Sequence, residues 1–212
     1  MNLGAAFFFL YNILAATANL SSLFGNLSYL FMLIVPLLTM RLFSEERKQK
    51  TDQLFYCAPV TLWSVVLGKF LAAVGVLGVS LAGTGLYLVI LSRYTTLAVG
   101  SLVAHYLAFA LLGACYIAVG LFMSTLTDSQ ITAAVLALAA NMLLQLGEMS
   151  SVNTVSPYLP FLPALMKCIA LNQHYAQIAS GVFYPTDVGY FIAFAAVFLC
   201  ASVGVLAGRK RR

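Results

Sequence analysis

Charge is what this chain has least of. Eleven Lys and Arg and six Asp and Glu make up only 8% of its 212 residues, against about 25% in a soluble domain. The first forty residues carry no charge at all. That scarcity excludes an ordinary water-soluble globule, and the mean hydropathy of +0.98 agrees. Cysteine is also sparse: Cys57, Cys115, Cys168 and Cys200 are scattered without paired spacing, which excludes the clustered thiolates of a zinc or iron–sulfur site. No GxxxxGK[ST] string occurs, so the chain has no phosphate-binding loop of its own for ATP. No basic residue precedes the first apolar stretch. A secretory signal needs one, even though Ala16-Thr17-Ala18 resembles a cleavage site. Strand-like alternation is missing too: FFFLYNIL and VVLGKFLAAVGVLGVSLAG do not alternate, as the walls of a membrane barrel must.

What remains is an all-α polytopic membrane protein. A spanning helix needs about 20 mostly apolar residues. The charge-free runs 1–40, 70–92, 94–127, 129–147, 149–166, 168–186 and 188–208 predict six transmembrane helices in one transmembrane domain over 1–212, near 3–18, 24–43, 62–91, 100–124, 129–147 and 187–208. Asn19, Ser21, Ser22, Gly25 and Asn26 predict a turn between the first two. Ser124 to Asp128 predicts a tight hairpin between the fourth and fifth. The stretch 148–186 holds Pro157, Pro160, Pro163 and Pro185 and reads as an extracytoplasmic loop with interfacial helices. The first span is short, as though an N-terminal segment normally preceded it.

Basic residues set the direction. With both termini inside, one side receives Arg41, Arg47, Lys48, Lys50, Lys69 and Arg209 to Arg212, and the other only Arg93 and Lys167. Positive residues favour the cytoplasmic face. That explains the net charge of +5 without nucleic acid as a partner. An odd number of spans between the island at 41–52 and the terminal RKRR would put them on opposite sides.

That island, within Arg41 to Pro59, holds seven of the seventeen charges. Thr51 can cap a short helix, with Asp52 in its first turn, where the helix dipole favours an acid. Leu54, Cys57 and Ala58 share one face; Asp52, Gln53 and Tyr56 point elsewhere, and Pro59 ends it. Thr61 can cap the next helix, Trp63 suits an interface, and Lys69 can snorkel back to the cytoplasm. A surface helix of this kind can seat in a groove of a soluble partner; the plain alternative is a positive-inside loop.

The string PLLTMRLFSEERKQKTDQLFYCAPVTLWSVVLGKFLAA resembles the permease subunits of ABC-2-type transporters, with the gliding-motility-associated branch nearest. Pro36 to Arg41, Phe43, Glu45, Glu46, Thr51, Leu54, Pro59, Val60, Trp63, Gly68 and Lys69 carry the likeness; Lys50 and Gln53 depart from it. The resemblance implies an exporter permease in a bacterial plasma membrane, paired with a second, identical or different permease and with ABC ATPase subunits that hold the ATP and Mg. This chain itself would bind no cofactor or metal and have no catalytic residue. The resemblance makes 44–61 the coupling segment, with Glu45, Glu46, Arg47, Thr51, Asp52, Gln53, Leu54, Tyr56 and Pro59 on the ATPase.

Asn141 and Gln145 lie one turn apart on the fifth span. They are candidates for the translocation path, together with Glu148 at its outer end; interhelical hydrogen bonding is the plain alternative for the first two. Two other functions compete. One is an ATP-independent carrier or scaffold. The other is an intramembrane protease, which needs a Ser and a His in reach of each other; Ser124 and His105 lie near opposite ends of one helix. Gly75, Gly78, Ala82 and Gly85 predict close helix packing, as do Ala133 and Ala137.

Overall fold

The computed structural model describes residues 20–49, 61–91, 99–146, 171–179 and 185–210. The span expected at 3–18, the segment Thr51 to Pro59 and Glu148 lie outside the described residues. All regular structure among the described residues is helical: α1 (Leu20–Thr39), α2 (Arg41–Lys48), α3 (Leu62–Leu91), α4 (Val99–Leu126), α5 (Gln130–Leu146), α6 (Leu171–Ala179) and α7 (Pro185–Lys210). Four stretches are long and apolar enough to cross a membrane: Leu27–Lys48, Leu62–Gly85, Leu102–Leu126 and Pro185–Arg209. α5 is a shorter apolar helix of 17 residues, about 26 Å at 1.5 Å per residue.

The expected turn at Ser21 to Asn26 is instead helical, inside the first two turns of α1. Serine and glycine lower helix propensity by at most about 1 kcal/mol each, and the apolar run behind them outweighs that. The second span also ends differently. α1 stops at Thr39, Met40 is a turn, and α2 restarts at Arg41. Pro36 lies within α1. It supplies no N–H, yet its carbonyl still accepts from Met40 N at 2.9 Å. The Thr39 hydroxyl folds back on the Val35 carbonyl at 3.0 Å, a habit that bends helices.

α4 is the axis of the bundle. Of its spanning stretch 67% is buried, against 22% for α3 and 28% for α7, and it packs on every other described helix. Without a hydrophobic force between helices in lipid, association depends on close approach. Two glycines on one face of α4 provide it. A Cβ at Gly113 would lie 2.9 Å from Phe31 Cε1, and one at Gly120 would lie 2.9 Å from Thr39 Cβ. Phe31 fills the space left beside Gly113 and packs on Phe109, with ring centroids 5.1 Å apart. By contrast, Gly75, Gly78 and Gly85 on α3 face open space, and no helix among the described residues packs against them. Ala133 and Ala137 are fully buried, as expected. Leu71, Val79, Ile131 and Val135 present exposed apolar surface, which suits contact with lipid.

α3 opens as its sequence predicts. Thr61 Oγ1 accepts from Ser64 N at 3.3 Å, a threonine N-cap, and Trp63 one residue into the helix is exposed. α4 ends at Leu126 and α5 begins at Gln130, the expected hairpin.

Candidate functional site

α2 is a short, charged helix whose own N-cap, Met40, offers no side-chain hydrogen bond. The first N–H groups of a helix need acceptors from outside it. Here α4 supplies one. The fully buried Ser124 hydroxyl accepts from Phe43 N at 3.1 Å and Ser44 N at 3.2 Å, and donates to the Met40 carbonyl at 3.2 Å. One serine from 80 residues away thus caps the arm.

The favour is returned at the other end of α2. Arg47 Nη1 donates to the Thr127 carbonyl at 3.3 Å and to Asp128 Oδ1 at 3.2 Å. Arg209 Nη2 reaches the Leu126 carbonyl at 3.0 Å, and its Nη1 reaches the same Asp128 oxygen at 3.3 Å. These carbonyls belong to the last turn of α4 and the residue after it, where orphan acceptors and the negative end of the dipole favour cations. Two arginines from two other helices therefore close the end of α4, with Asp128 bridging them. The Arg47 side chain is only 6% exposed while Asp128 is 75% exposed. Water screens the acid, so the carbonyl bonds and Arg47's burial fix the geometry more than the ion pairs do. These contacts also place the ends of α2, α4 and α7 together at one end of the bundle, as the charge bias requires.

The arm's third fastening is to α3. Lys69 Nζ pairs with the Glu46 carboxylate and donates to the Leu42 carbonyl. The same ammonium sits 4.2 Å from the centroid of the Phe43 ring, a cation–π contact. Lys69 was expected to snorkel back to the cytoplasm; its side chain is 16% exposed and is held by α2. Residues 50–60 are thus flanked in sequence by two helices tied directly to each other.

Of the residues expected on the ATPase, Glu46 and Arg47 have partners within the chain, whereas Glu45 is half-buried on the same helix. Thr51, Asp52, Gln53, Leu54, Tyr56 and Pro59 lie outside the described residues. Of the path candidates, Gln145 accepts from the Tyr116 hydroxyl at 2.7 Å, the interhelical bond that was the plain alternative. Asn141 is fully buried, and neither its Nδ2 nor its Oδ1 has a partner among the described residues. Glu148 lies outside the described residues.

Ser124, the one serine weighed as a protease nucleophile, spends its hydroxyl on the arm. His105 lies nineteen residues earlier on the same helix, about 28 Å away at 1.5 Å per residue.

At the other end of the bundle the structure forms a pair that the sequence did not single out. His174 Nδ1 of α6 lies 2.7 Å from Asp187 Oδ1 in the first turn of α7. The His174 ring stacks on Tyr190, with centroids 4.4 Å apart. Thirteen residues separate the pair, so no local spacing reveals it. Among the described residues, no three His, Cys, Asp or Glu side chains gather at metal-binding range.

A charged arm locked to the central helix of an apolar bundle suits a membrane protein driven from outside itself. No curated protein and no solved structure matches the chain. The family model described as "ABC-2 family transporter protein" matches residues 22–206, spanning the arm, the central helix and the last helix. The chain belongs to the ABC-2 transporter family, as a multi-pass membrane permease component of an ABC transporter and not itself an enzyme.

Proposed function

We propose that the chain is the permease of an exporter driven by a separate ATPase, and that residues 51–59 seat on that ATPase. The observation that carries this is the reciprocal capping of α2 and α4. A push on residues 51–59 reaches α2 and α3, which flank them. α2 cannot move alone, because Ser124 holds its beginning and Thr127 and Asp128 hold its end. The displacement passes into α4, which touches every other described helix, and through Asp128 to Arg209 of α7. A rigid arm on the bundle's axis is the kind of element that a partner's ATP cycle can shift between two arrangements.

The positive-inside bias supports placing this end, and both termini, in the cytoplasm. The match of 36–69 to the gliding-motility-associated pattern supports a bacterial plasma membrane and that branch. A second permease, identical or different, would complete the path, and the ATPase would hold ATP and Mg. Asn141, Gln145 and Glu148 remain the proposed polar positions of that path. Asn141 supports this best, because a buried amide without partners among the described residues is costly unless another state uses it.

The test is mild-detergent purification of the tagged chain from its native host, with mass spectrometry of what accompanies it. A stoichiometric ATPase with a phosphate-binding loop, lost on Asp52→Ala with Leu54→Ala, is the expected result. Repeated recovery of the chain alone from lipid nanodiscs would favour a carrier or scaffold.

A further inference from the structure

At the end of the bundle away from Asp128, α6 packs on α4, α5 and α7. Leu171 and Ile178 are buried in the main core with Leu112 and Cys115 of α4. Tyr175, between them, is half-buried beside Ser28 of α1: desolvation pushes its phenol up to about 12, partly opposed by a hydrogen bond with Ser28. On α7, α6 is fastened by His174, through its bond to Asp187 and its stack on Tyr190. Asp187 is 3% exposed, and its second oxygen, Oδ2, is buried without a partner among the described residues. The contact therefore combines a short, directional bond with an unrelieved desolvation cost, which water would remove if α6 lifted. A contact balanced in this way holds one arrangement without making the other inaccessible.

We propose that His174 and Asp187 are a latch that keeps α6 seated and this end of the bundle closed, and that its release opens the α4–α7 seam beneath. The proposal deepens the permease reading, since a path opened from one end needs a closure at the other. The seam carries its own reporter. Phe191 follows Asp187 by one turn on α7, and its carbonyl accepts from the buried Cys115 thiol of α4 at 3.3 Å. Cys115 is thus sheltered directly below the latch.

The experiment uses the full chain in lipid nanodiscs with Cys57, Cys168 and Cys200 changed to Ser, and follows labelling of Cys115 by a charged, membrane-impermeant methanethiosulfonate. His174→Ala and Asp187→Ala each raise the labelling rate at least about tenfold, the scale of one charge-assisted hydrogen bond. Asp187→Asn, which keeps an acceptor, raises it less. The exchange His174→Asp with Asp187→His brings the rate back toward that of the parent, a rescue that a merely structural role would not give. If a single variant lowers the melting temperature of the whole protein, the exchange decides: restored protection supports the latch, and unrestored protection overturns it. Parent-like labelling in folded single variants also overturns it. Stimulation of the partner ATPase by the same nanodiscs separates the two ideas. Unchanged labelling with intact stimulation removes the latch alone. Opened labelling with no responding ATPase removes the permease reading alone.

Discussion

The Ser124 hydroxyl of α4 accepts from the backbone N–H of Phe43 at 3.1 Å and, at 3.2 Å, from that of its neighbour Ser44. This relationship joins the charged arm to the bundle's axis at a site that is fully buried. Ser124→Ala removes the acceptor and leaves polar backbone groups in an apolar setting. The expected loss is about 1–3 kcal/mol of stability, read from denaturant or thermal unfolding in detergent. Ser124→Thr, which keeps the oxygen, should lose less.

Asp128 should behave in the opposite way. It is 75% exposed, and exposed ion pairs contribute at most about 1 kcal/mol. Asp128→Ala therefore unfolds close to the parent, yet frees Arg209 from Arg47. Because Arg47 and Arg209 keep their carbonyl bonds, the expected outcome is an assembled complex whose ATPase rate responds to the permease more weakly than the parent's. A large stability loss with normal coupling would reverse the assignment.

Lys69 and Glu46 form a half-buried pair. Removing one partner leaves a poorly hydrated charge, which costs more than removing both. Lys69→Met and Glu46→Gln alone should each destabilise more than the two together. A double-mutant cycle measures this coupling; strictly additive effects would show that the pair is incidental.

Two sets of glycines should separate. Gly120→Ala drives a methyl into Thr39, and Gly113→Ala drives one into Phe31 and Leu77. Overpacking of this kind costs about 1–3 kcal/mol. Gly75→Ala and Gly78→Ala meet nothing within 4 Å among the described residues and should be neutral or stabilising by up to about 1 kcal/mol through helix propensity. Unfolding of all four variants side by side checks this.

These contrasts mark what the sequence could and could not reveal. Thr61 as a cap, the Ser124 to Asp128 hairpin and the grouping of basic ends were legible because each depends on neighbouring residues or on counting charges against spans. The cap on α2 was not, because its acceptor lies 80 residues away and a serine in an apolar helix announces nothing. The sequence pointed to Gly75 and Gly78 as the packing glycines, whereas Gly113 and Gly120 are the crowded ones; only the helices beside them decide which pair is crowded. Lys69 read as a snorkelling side chain because Glu46, its partner, belongs to another helix. His174 and Asp187 were not legible as a pair for the same reason, since they belong to different helices. Ser21 to Asn26 misled in the other direction, since turn-forming residues near a helix start yield to the apolar run that follows.

The measurement that bears most directly on the arm as the route from ATPase to bundle is Cys115 labelling in the reconstituted complex, compared between the nucleotide-free and vanadate-trapped states. In the parent, trapping should change the labelling rate. In Ser124→Ala with Asp128→Ala, the ATPase should still bind and hydrolyse ATP, but trapping should leave the rate of Cys115 labelling unchanged. A parent-like response in that double variant would contradict the coupling role of the α2–α4 interlock.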